Sequence, residues 1–184
     1  MRRVIAALLV GGVLLGPGPL SAQEPIRVAV VEFADDSVDG FRIGASRMHA
    51  EFAELLARSG GGRLQVVPVA QVESALRARG VGPEDLSRPF GGSALAAAVG
   101  ARWLVRGRWT VLEVDRPEVP PVPDDLIRPV LVHAALEVQV LDVTERRLVM
   151  RDLVSTTTVA TGIHSLRDAA REVLRRAAAR VAGL

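Results

Sequence analysis

The stretch VLVHAALEVQV, residues 130–140, has the clearest alternation of apolar and polar side chains in the chain. One side carries Val130, Val132, Ala134, Leu136, Val138 and Val140, and the other carries His133, Glu137 and Gln139. A period of two residues is typical of a strand with one face in a core and the other toward solvent. The stretch therefore predicts a half-exposed strand of an antiparallel sheet.

The segments on both sides extend this strand into a meander. The turn-forming sequence DVTERR, residues 142–147, leads into a further β-rich segment at residues 148–158. On the other side, RWLVRGRWTVLEV, residues 102–114, predicts a strand that reaches residue 130 through the proline-rich connector 115–129. The last three strands are therefore expected to form an antiparallel meander.

The N-terminal half alternates strands with helices. IRVAVVEF, residues 26–33, is a continuous apolar run that predicts a strand buried on both faces. LQVVPV, residues 64–69, predicts a second strand, and Pro68 favours a position near a sheet edge. Apolar spacing and terminating glycines predict helices at residues 44–58, 70–79 and 93–99.

A long amphipathic helix is predicted at the C-terminus, with Ser165 as its N-cap and Asp168 completing a capping box. Its buried stripe is expected to contain Leu166, Ala169, Ala170, Val173, Leu174, Ala177 and Val181. The order of elements predicts an α/β fold, a mixed sheet of about five strands with helices packed on it. Residues 23–184 are expected to form a single domain.

Residues 1–22 have the pattern of a secretory signal peptide. Arg2 and Arg3 precede an uncharged apolar run, residues 4–15, which is shorter than the roughly 20 residues needed to span a bilayer. We expect cleavage and a periplasmic or secreted protein without a later transmembrane segment. A signal retained as an N-terminal anchor is the alternative.

Composition excludes several classes of function. The 184 residues contain no cysteine, which excludes a disulfide framework, a thiol nucleophile and a lipoprotein anchor. All 23 basic residues are arginine, and removal of Arg2 and Arg3 leaves 21 arginines against 21 acidic residues. A nucleic-acid-binding protein needs an excess of positive charge on one face, so no nucleic-acid partner is expected.

Four stretches resemble a known group of periplasmic α/β domains: RVAVVEFADDS, RLQVVPVAQVESAL, LAAAVGARWLVRGRW and LEVQVLDVTERRLV. The group contains the N-terminal domain of the Tol–Pal translocation protein B, the curli secretion channel family and outer-membrane activators of penicillin-binding proteins. The resemblance implies a non-enzymatic domain used for assembly or protein contact. The channel members have long barrel-forming hairpins, whereas the corresponding connector here is short and rich in proline, so pore activity is not implied.

The sequence FADDSVDG, residues 33–40, is the first candidate site. Asp35, Ser37 and Asp39 have the spacing that opens many calcium loops, but the loop position that requires a bidentate glutamate is occupied by Ser46. Asp, Ser and Gly also favour turns for local reasons. We therefore predict a turn, with Asp35, Ser37 and Asp39 as weak candidates for metal ligands.

The other polar residues give weaker indications of a catalytic or binding site. His49, His133 and His164 lack the spacing of a helical zinc pair, and STTT, residues 155–158, has no motif that places a base beside a hydroxyl nucleophile. The arginines of the C-terminal helix are typical of a solvated face, although a basic amphipathic helix can also lie on an anionic membrane. No catalytic residue and no cofactor are predicted.

These observations favour a non-enzymatic interaction or assembly module of the bacterial cell envelope that binds another protein through its α/β domain. Two alternatives stay open: a small-ligand or metal sensor that uses residues 33–40, and a hydrolase, which would require a deep pocket holding several polar residues. The sequence also leaves open whether the protein forms a homo-oligomer.

Overall fold

The computed structural model of the protein describes residues 24–82, 85–86, 88, 92–115, 130–160 and 164–184. The strands are β1 (Ile26–Val30), β2 (Ala34–Asp35), β3 (Leu64–Val66), β4 (Trp103–Asp115), β5 (Val130–Asp142) and β6 (Arg147–Ala160). The α-helices are α1 (Gly40–Ile43), α2 (His49–Ser59), α3 (Val69–Arg79), α4 (Ser93–Ala98) and α5 (His164–Ala182), and a short 3₁₀ helix spans Ala45–Met48.

The strands form one mixed six-stranded sheet. Five of them follow the order β3-β1-β4-β5-β6, and β2 pairs with β4 beside this path. β1 is parallel to β3 and β4, whereas β4, β5 and β6 pair antiparallel. The predicted α/β class and the final meander are confirmed. The expectation of about five strands missed β2, because two residues are too short to show a period.

Helices cover the two faces of the sheet unequally. On one face α2 and α5 build the larger core, which contains Phe52, Leu56 and Leu174 together with alternate residues of the strands. On the other face α3 and α4 form a smaller core around Val72 and Leu95. This second core involves β1, the beginning of β4 and Leu141 at the end of β5. The rest of that side of the β4–β6 meander is left without a covering helix among those described.

The burial of β1 follows from its position between these layers. Val28 and Val30 belong to the larger core, and Ala29 and Val31 belong to the smaller one. A strand covered on both faces needs a continuous apolar run, as predicted for residues 26–33. The predicted stripe of the C-terminal helix is also confirmed, because all seven of its residues are buried.

A bulge in β4 changes which side chains point into the core. The pairing with β5 shifts between Trp109 and Val111, so that Thr110 is the extra residue. As a result Trp109 and Leu112, three positions apart, are both fully buried. A regular strand would have turned one of them toward the opposite face.

Several boundaries differ from the sequence-based expectation. The first strand was predicted to reach Phe33, but β1 ends at Val30. Residues 44–58 are not one α-helix, because Gly44, with a φ of 66°, lies before the 3₁₀ helix Ala45–Met48, and α2 begins only at His49. β3 ends at Val66, and Pro68 precedes the first residue of α3 instead of lying inside a strand. Ser165 lies inside α5, so the prediction that it precedes the helix as its N-cap is wrong. Residues 1–22 and most of the connector 115–129 lie outside the described residues.

Candidate functional site

The uncovered side of the β4–β6 meander carries a group of polar side chains. We call it the open face, and it carries Arg106, Arg108, His133, Glu137, Gln139, Arg151, Leu153, Thr157 and Val159. Cross-strand pairs such as Arg108 with Glu137 and Glu137 with Leu153 place these side chains on one side of the sheet. The predicted outward direction of His133, Glu137 and Gln139 is confirmed.

A cleft of about 360 Å³ lies between the open face and the end of α3. One wall is formed by the residues that follow β1, among them Phe33 and Asp35. Leu76 and Val81 provide an apolar wall, and Arg106 lines the polar side. In open α/β sheets ligands bind at the carboxyl ends of parallel strands, and the cleft occupies this position relative to β1.

Hydrogen bonds connect four polar side chains across the three strands. Arg106 Nε donates to Gln139 Oε1 at 2.9 Å, and Gln139 Nε2 donates to Glu137 Oε1 at 2.6 Å. Arg151 Nε donates to the same Glu137 oxygen at 2.6 Å. Arg108 lies beside this network and forms an ion pair with Asp36 at 3.3 Å. The network fixes the polar floor of the open face in one arrangement.

The network changes the pKa of two of its members. Partial burial alone would raise the pKa of Glu137, but hydrogen bonds from Gln139 and Arg151 and the positive charges of Arg151 and Arg108 lower it below its usual value. Burial lowers the pKa of Arg106, and the charge of Glu137 opposes this change only in part. Both groups stay ionised at neutral pH, so the cleft presents fixed charges.

The structure places the candidate loop, residues 33–40, as a tight turn tied to β4. Ser37 donates to Asp35 Oδ1 from its backbone amide at 3.1 Å and from its hydroxyl at 2.5 Å. Asp39 accepts a hydrogen bond from the amide of Val114 at 3.3 Å. The backbone amides of Asp36 and Asp39 donate to β4 carbonyl groups. Asp35 and Asp39 thus direct their carboxylates to different partners.

Within the described residues no group of three or more His, Asp or Glu side chains has a metal-binding arrangement.

Gly40 closes this turn, and its lack of a side chain is required there. A Cβ atom at this position would overlap the Ser37 hydroxyl and both carboxylate oxygens of Asp35. We expect Gly40→Ala to lower the free energy of unfolding by about 1–3 kcal/mol, because the side chains of Asp35 and Ser37 must move to make room for the added methyl group. Chemical denaturation followed by circular dichroism would measure the change.

Gly82→Ala is the matched control, because a Cβ atom there meets no atom within 4 Å and the residue does not have a positive φ. This control is expected to change the free energy of unfolding by less than about 1 kcal/mol. Equal effects of the two substitutions would contradict the steric role of Gly40.

The remaining candidates do not converge on the cleft. His49 lies buried on α2, with Nδ1 3.1 Å from the carbonyl oxygen of Ser46 and Nε2 3.6 Å from Glu73. His133 Nδ1 lies 3.1 Å from the hydroxyl of Thr157 on the open face, and neither residue lines the cleft. The side chain of His164 lies outside the described residues.

The arginines of α5 form ion pairs on the protein surface. Arg171 pairs with Glu51 at 3.0 Å, and Arg176 pairs with Glu172 at 2.7 Å. Arg175 and Arg180 also pair with carboxylates, those of Glu172 and Asp152. This arrangement supports the interpretation of a solvated helix face.

The sequence pattern indicated Glu137 and Gln139 only as outward-facing residues and did not single out Arg106, Arg108 or Arg151. The sequence contained one indication of these residues: in RGR, residues 106–108, the two arginines are two positions apart and therefore lie on the same side of a strand. In the part of the chain that the structure covers, no helix has both the length and the apolar composition required to cross a bilayer.

Comparison with protein families and with curated protein sequences finds no match. Among solved structures, lipoprotein GNA1162 from Neisseria meningitidis superposes with a TM-score of 0.56 at 16% identity, over 84% of this chain and 99% of that chain. The hypothetical protein CT253 from Chlamydia trachomatis superposes with a TM-score of 0.53 at 15% identity, over 86% of this chain and 96% of that chain. The chain therefore shares its α/β fold with these two proteins.

The C-terminal domain of LpoB from Salmonella enterica is also similar, at 16% identity over 77% of this chain and 87% of that chain. Its TM-score of 0.41 is too low to argue for a shared fold. The resemblance to the Tol–Pal protein B and curli channel domains stays a prediction.

Proposed function

We propose that this protein is an exported, non-enzymatic interaction module of the bacterial cell envelope that binds a protein partner along β6. The observation that carries the proposal is the long edge strand. β6 has 14 residues, and among the described strands it pairs only with β5. Such an edge presents a row of backbone groups that can pair with an added strand.

Three apolar side chains on β6 strengthen this proposal. Leu148, Leu153 and Val159 are 47%, 57% and 67% exposed. The segment LVSTTTVA, residues 153–160, contains neither a charged residue nor proline, which are two of the devices that protect an edge strand. A partner that covers this edge would remove both the unpaired backbone groups and the apolar side chains from water.

The envelope location rests on the predicted signal at residues 1–22. It is supported by the fold shared with lipoprotein GNA1162 from Neisseria meningitidis. Because the chain has no lipid-anchoring cysteine, it would be a form of such a module without a lipid anchor. Its non-enzymatic character is supported by the position of two described histidines: His49 lies on α2, His133 pairs with Thr157 on the open face, and neither of them lines the cleft.

The docking proposal predicts a site-specific cross-link. A photo-cross-linking amino acid at Leu153 is expected to yield one defined adduct in living host cells, because Leu153 lies within the proposed interface. Val38, which is 73% exposed in the loop after β2, is the matched control and should yield no such adduct. Mass spectrometry of the adducts provides the measurement.

Competition with purified protein tests whether the cross-link is specific. Purified wild-type protein added in excess should compete for the adduct in envelope extract, whereas protein carrying Leu153→Asp and Val159→Asp should not. Adducts of equal yield at both positions, or none at position 153, would contradict docking along β6. An adduct with a second copy of the chain would show that the partner is this same protein and that it forms a homo-oligomer.

A second candidate function is the binding of a small ligand beside residues 33–40, and the cleft is the observation that favours it. Phe33, Ala34 and Asp35 of this loop line the cleft. The carboxylates of Asp35 and Asp39 have separate hydrogen-bond partners, so an organic ligand suits the cleft better than a metal ion held by Asp35, Ser37 and Asp39.

A further inference from the structure

Arg106 differs from the other arginines of the open face in its partners. Arg108 pairs with Asp36 at 3.3 Å, and Arg151 pairs with Glu137 at 2.6 Å. Arg106 instead donates to neutral oxygens: the side chain of Gln139 and, through Nη1, the carbonyl groups of Leu86 at 2.6 Å and Arg88 at 2.9 Å. Among the described residues no carboxylate lies within ion-pair distance of its guanidinium group.

Partial burial also distinguishes Arg106 from the other two arginines. Arg106 is partly buried, whereas the side chains of Arg108 and Arg151 are 51% and 64% exposed. Burial removes part of the hydration of this charge and lowers the pKa of Arg106. A partly dehydrated cation interacts favourably with any anion that can reach it. Its Nη2 group makes no hydrogen bond to a described residue and is the donor left for such an anion.

Three apolar side chains line the same cleft as this cation. Leu76 of α3, Val81 and Leu86 line the cleft, and each is partly exposed. The volume of about 360 Å³ lies within the range of small-molecule sites. The cleft therefore combines one partly buried positive charge with an apolar surface, which matches a ligand that has a charged head and an apolar chain.

The other charges of the cleft select the kind of anion. Glu32, Asp35 and Glu137 also line it, together with Arg108, and the three negative charges would repel a dianion more strongly than a monoanion. A carboxylate carries a single charge and matches the fork of a guanidinium group. A phosphate monoester fits this surrounding less well.

We propose that the cleft binds a small carboxylic acid with an apolar chain, whose carboxylate pairs with Arg106 and whose chain lies against Leu76, Val81 and Leu86. This proposal deepens the second candidate function, because it names the chemistry of the small ligand. It is independent of protein docking along β6.

Isothermal titration calorimetry of the purified protein with butanoate, hexanoate and octanoate tests the proposal. We expect one site, with an affinity that rises with chain length because each added methylene group leaves water. Octylammonium, which has the same chain and the opposite charge, should not bind. Inorganic phosphate, which has no chain, should not bind either.

Variants assign the binding to Arg106 and to the apolar wall. Arg106→Gln is expected to weaken octanoate binding roughly tenfold or more, since it removes a charge-assisted contact. Arg147→Gln is the control, because Arg147 of β6 is exposed, pairs with Glu145 and does not line the cleft; it should change the affinity by less than about twofold. Val81→Glu leaves Arg106 and its contacts in place but puts a negative charge into the cleft, so it should abolish binding.

Several outcomes would overturn the proposal. They are equal binding of octylammonium and octanoate, an affinity independent of chain length, or unchanged binding by folded Arg106→Gln protein. Absence of octanoate binding together with a thermal shift caused by another organic compound would refute the carboxylate and leave the second candidate function standing. Absence of any shift across a metabolite panel would refute both.

Discussion

Trp109→Ala is expected to lower the free energy of unfolding by about 4 kcal/mol. Trp109 is fully buried in the larger core, and its Nε1–H group donates to the carbonyl oxygen of Ala45 at 3.0 Å. Truncation leaves a large cavity and also removes the bond that ties the 3₁₀ helix to β4. Urea denaturation monitored by circular dichroism would measure the loss.

A pair of smaller substitutions separates the hydrogen bond from the packing. Trp109→Phe and Trp103→Phe remove the same atoms from two buried residues of the larger core. Only Trp109 makes a ring hydrogen bond within the described residues. We expect Trp109→Phe to be more destabilising than Trp103→Phe by about 1–2 kcal/mol, because the buried carbonyl group of Ala45 loses its side-chain partner. Equal losses would show that the bond contributes nothing to stability.

Asp142→Ala is expected to lower the free energy of unfolding by about 3 kcal/mol. The carboxylate is 1% exposed. One oxygen accepts hydrogen bonds from the amides of Thr144 and Glu145, both at 3.0 Å, and the other accepts from Arg102 Nε at 2.9 Å. These contacts define the turn between β5 and β6. Asp142→Asn should cost less, because an amide oxygen still accepts the two backbone hydrogen bonds.

The same residue gives the stability a pH dependence. Burial alone would raise the pKa of Asp142, but hydrogen bonds from Glu145 and Arg102, the charge of Arg102 and the amide of Thr144 lower it below the ordinary value of 3.8. When the pKa of a carboxyl group is lower in the folded state, its stabilising effect is complete above the pKa of the unfolded state. This effect is lost as the pH falls through the pKa of the folded state. The free energy of unfolding should therefore fall as the pH decreases from about 5 toward 2.

The controls for this prediction are Asp142→Asn and Glu145→Gln. Asp142→Asn should show a flatter dependence of stability on pH than the wild type, because the titrating group is gone. Glu145→Gln removes an exposed partner of Arg102 and should change the stability by less than about 0.5 kcal/mol. Parallel pH profiles for the wild type and Asp142→Asn would contradict the role of Asp142.

The candidate site was only partly predictable. The alternation at residues 130–140 indicated the outward direction of Glu137 and Gln139, since strand periodicity is a local property. It contained no information about Arg106, whose importance comes from contacts with Gln139, Leu86 and Arg88 on other segments. The lack of a described carboxylate partner for Arg106 depends on its neighbours in space, which no local pattern reports.

The sequence by itself determined the α/β class, the mixed sheet and the final meander, because periodicity, glycine and proline act over a few residues at a time. The tertiary structure decided the strand order, the bulge at Thr110, the edge position of β6 and the cleft beside Arg106. These features depend on which distant segments meet. Residues such as Phe33, Val81 and Arg106 became one site only when the sheet brought the end of β1, the end of α3 and the middle of β4 together.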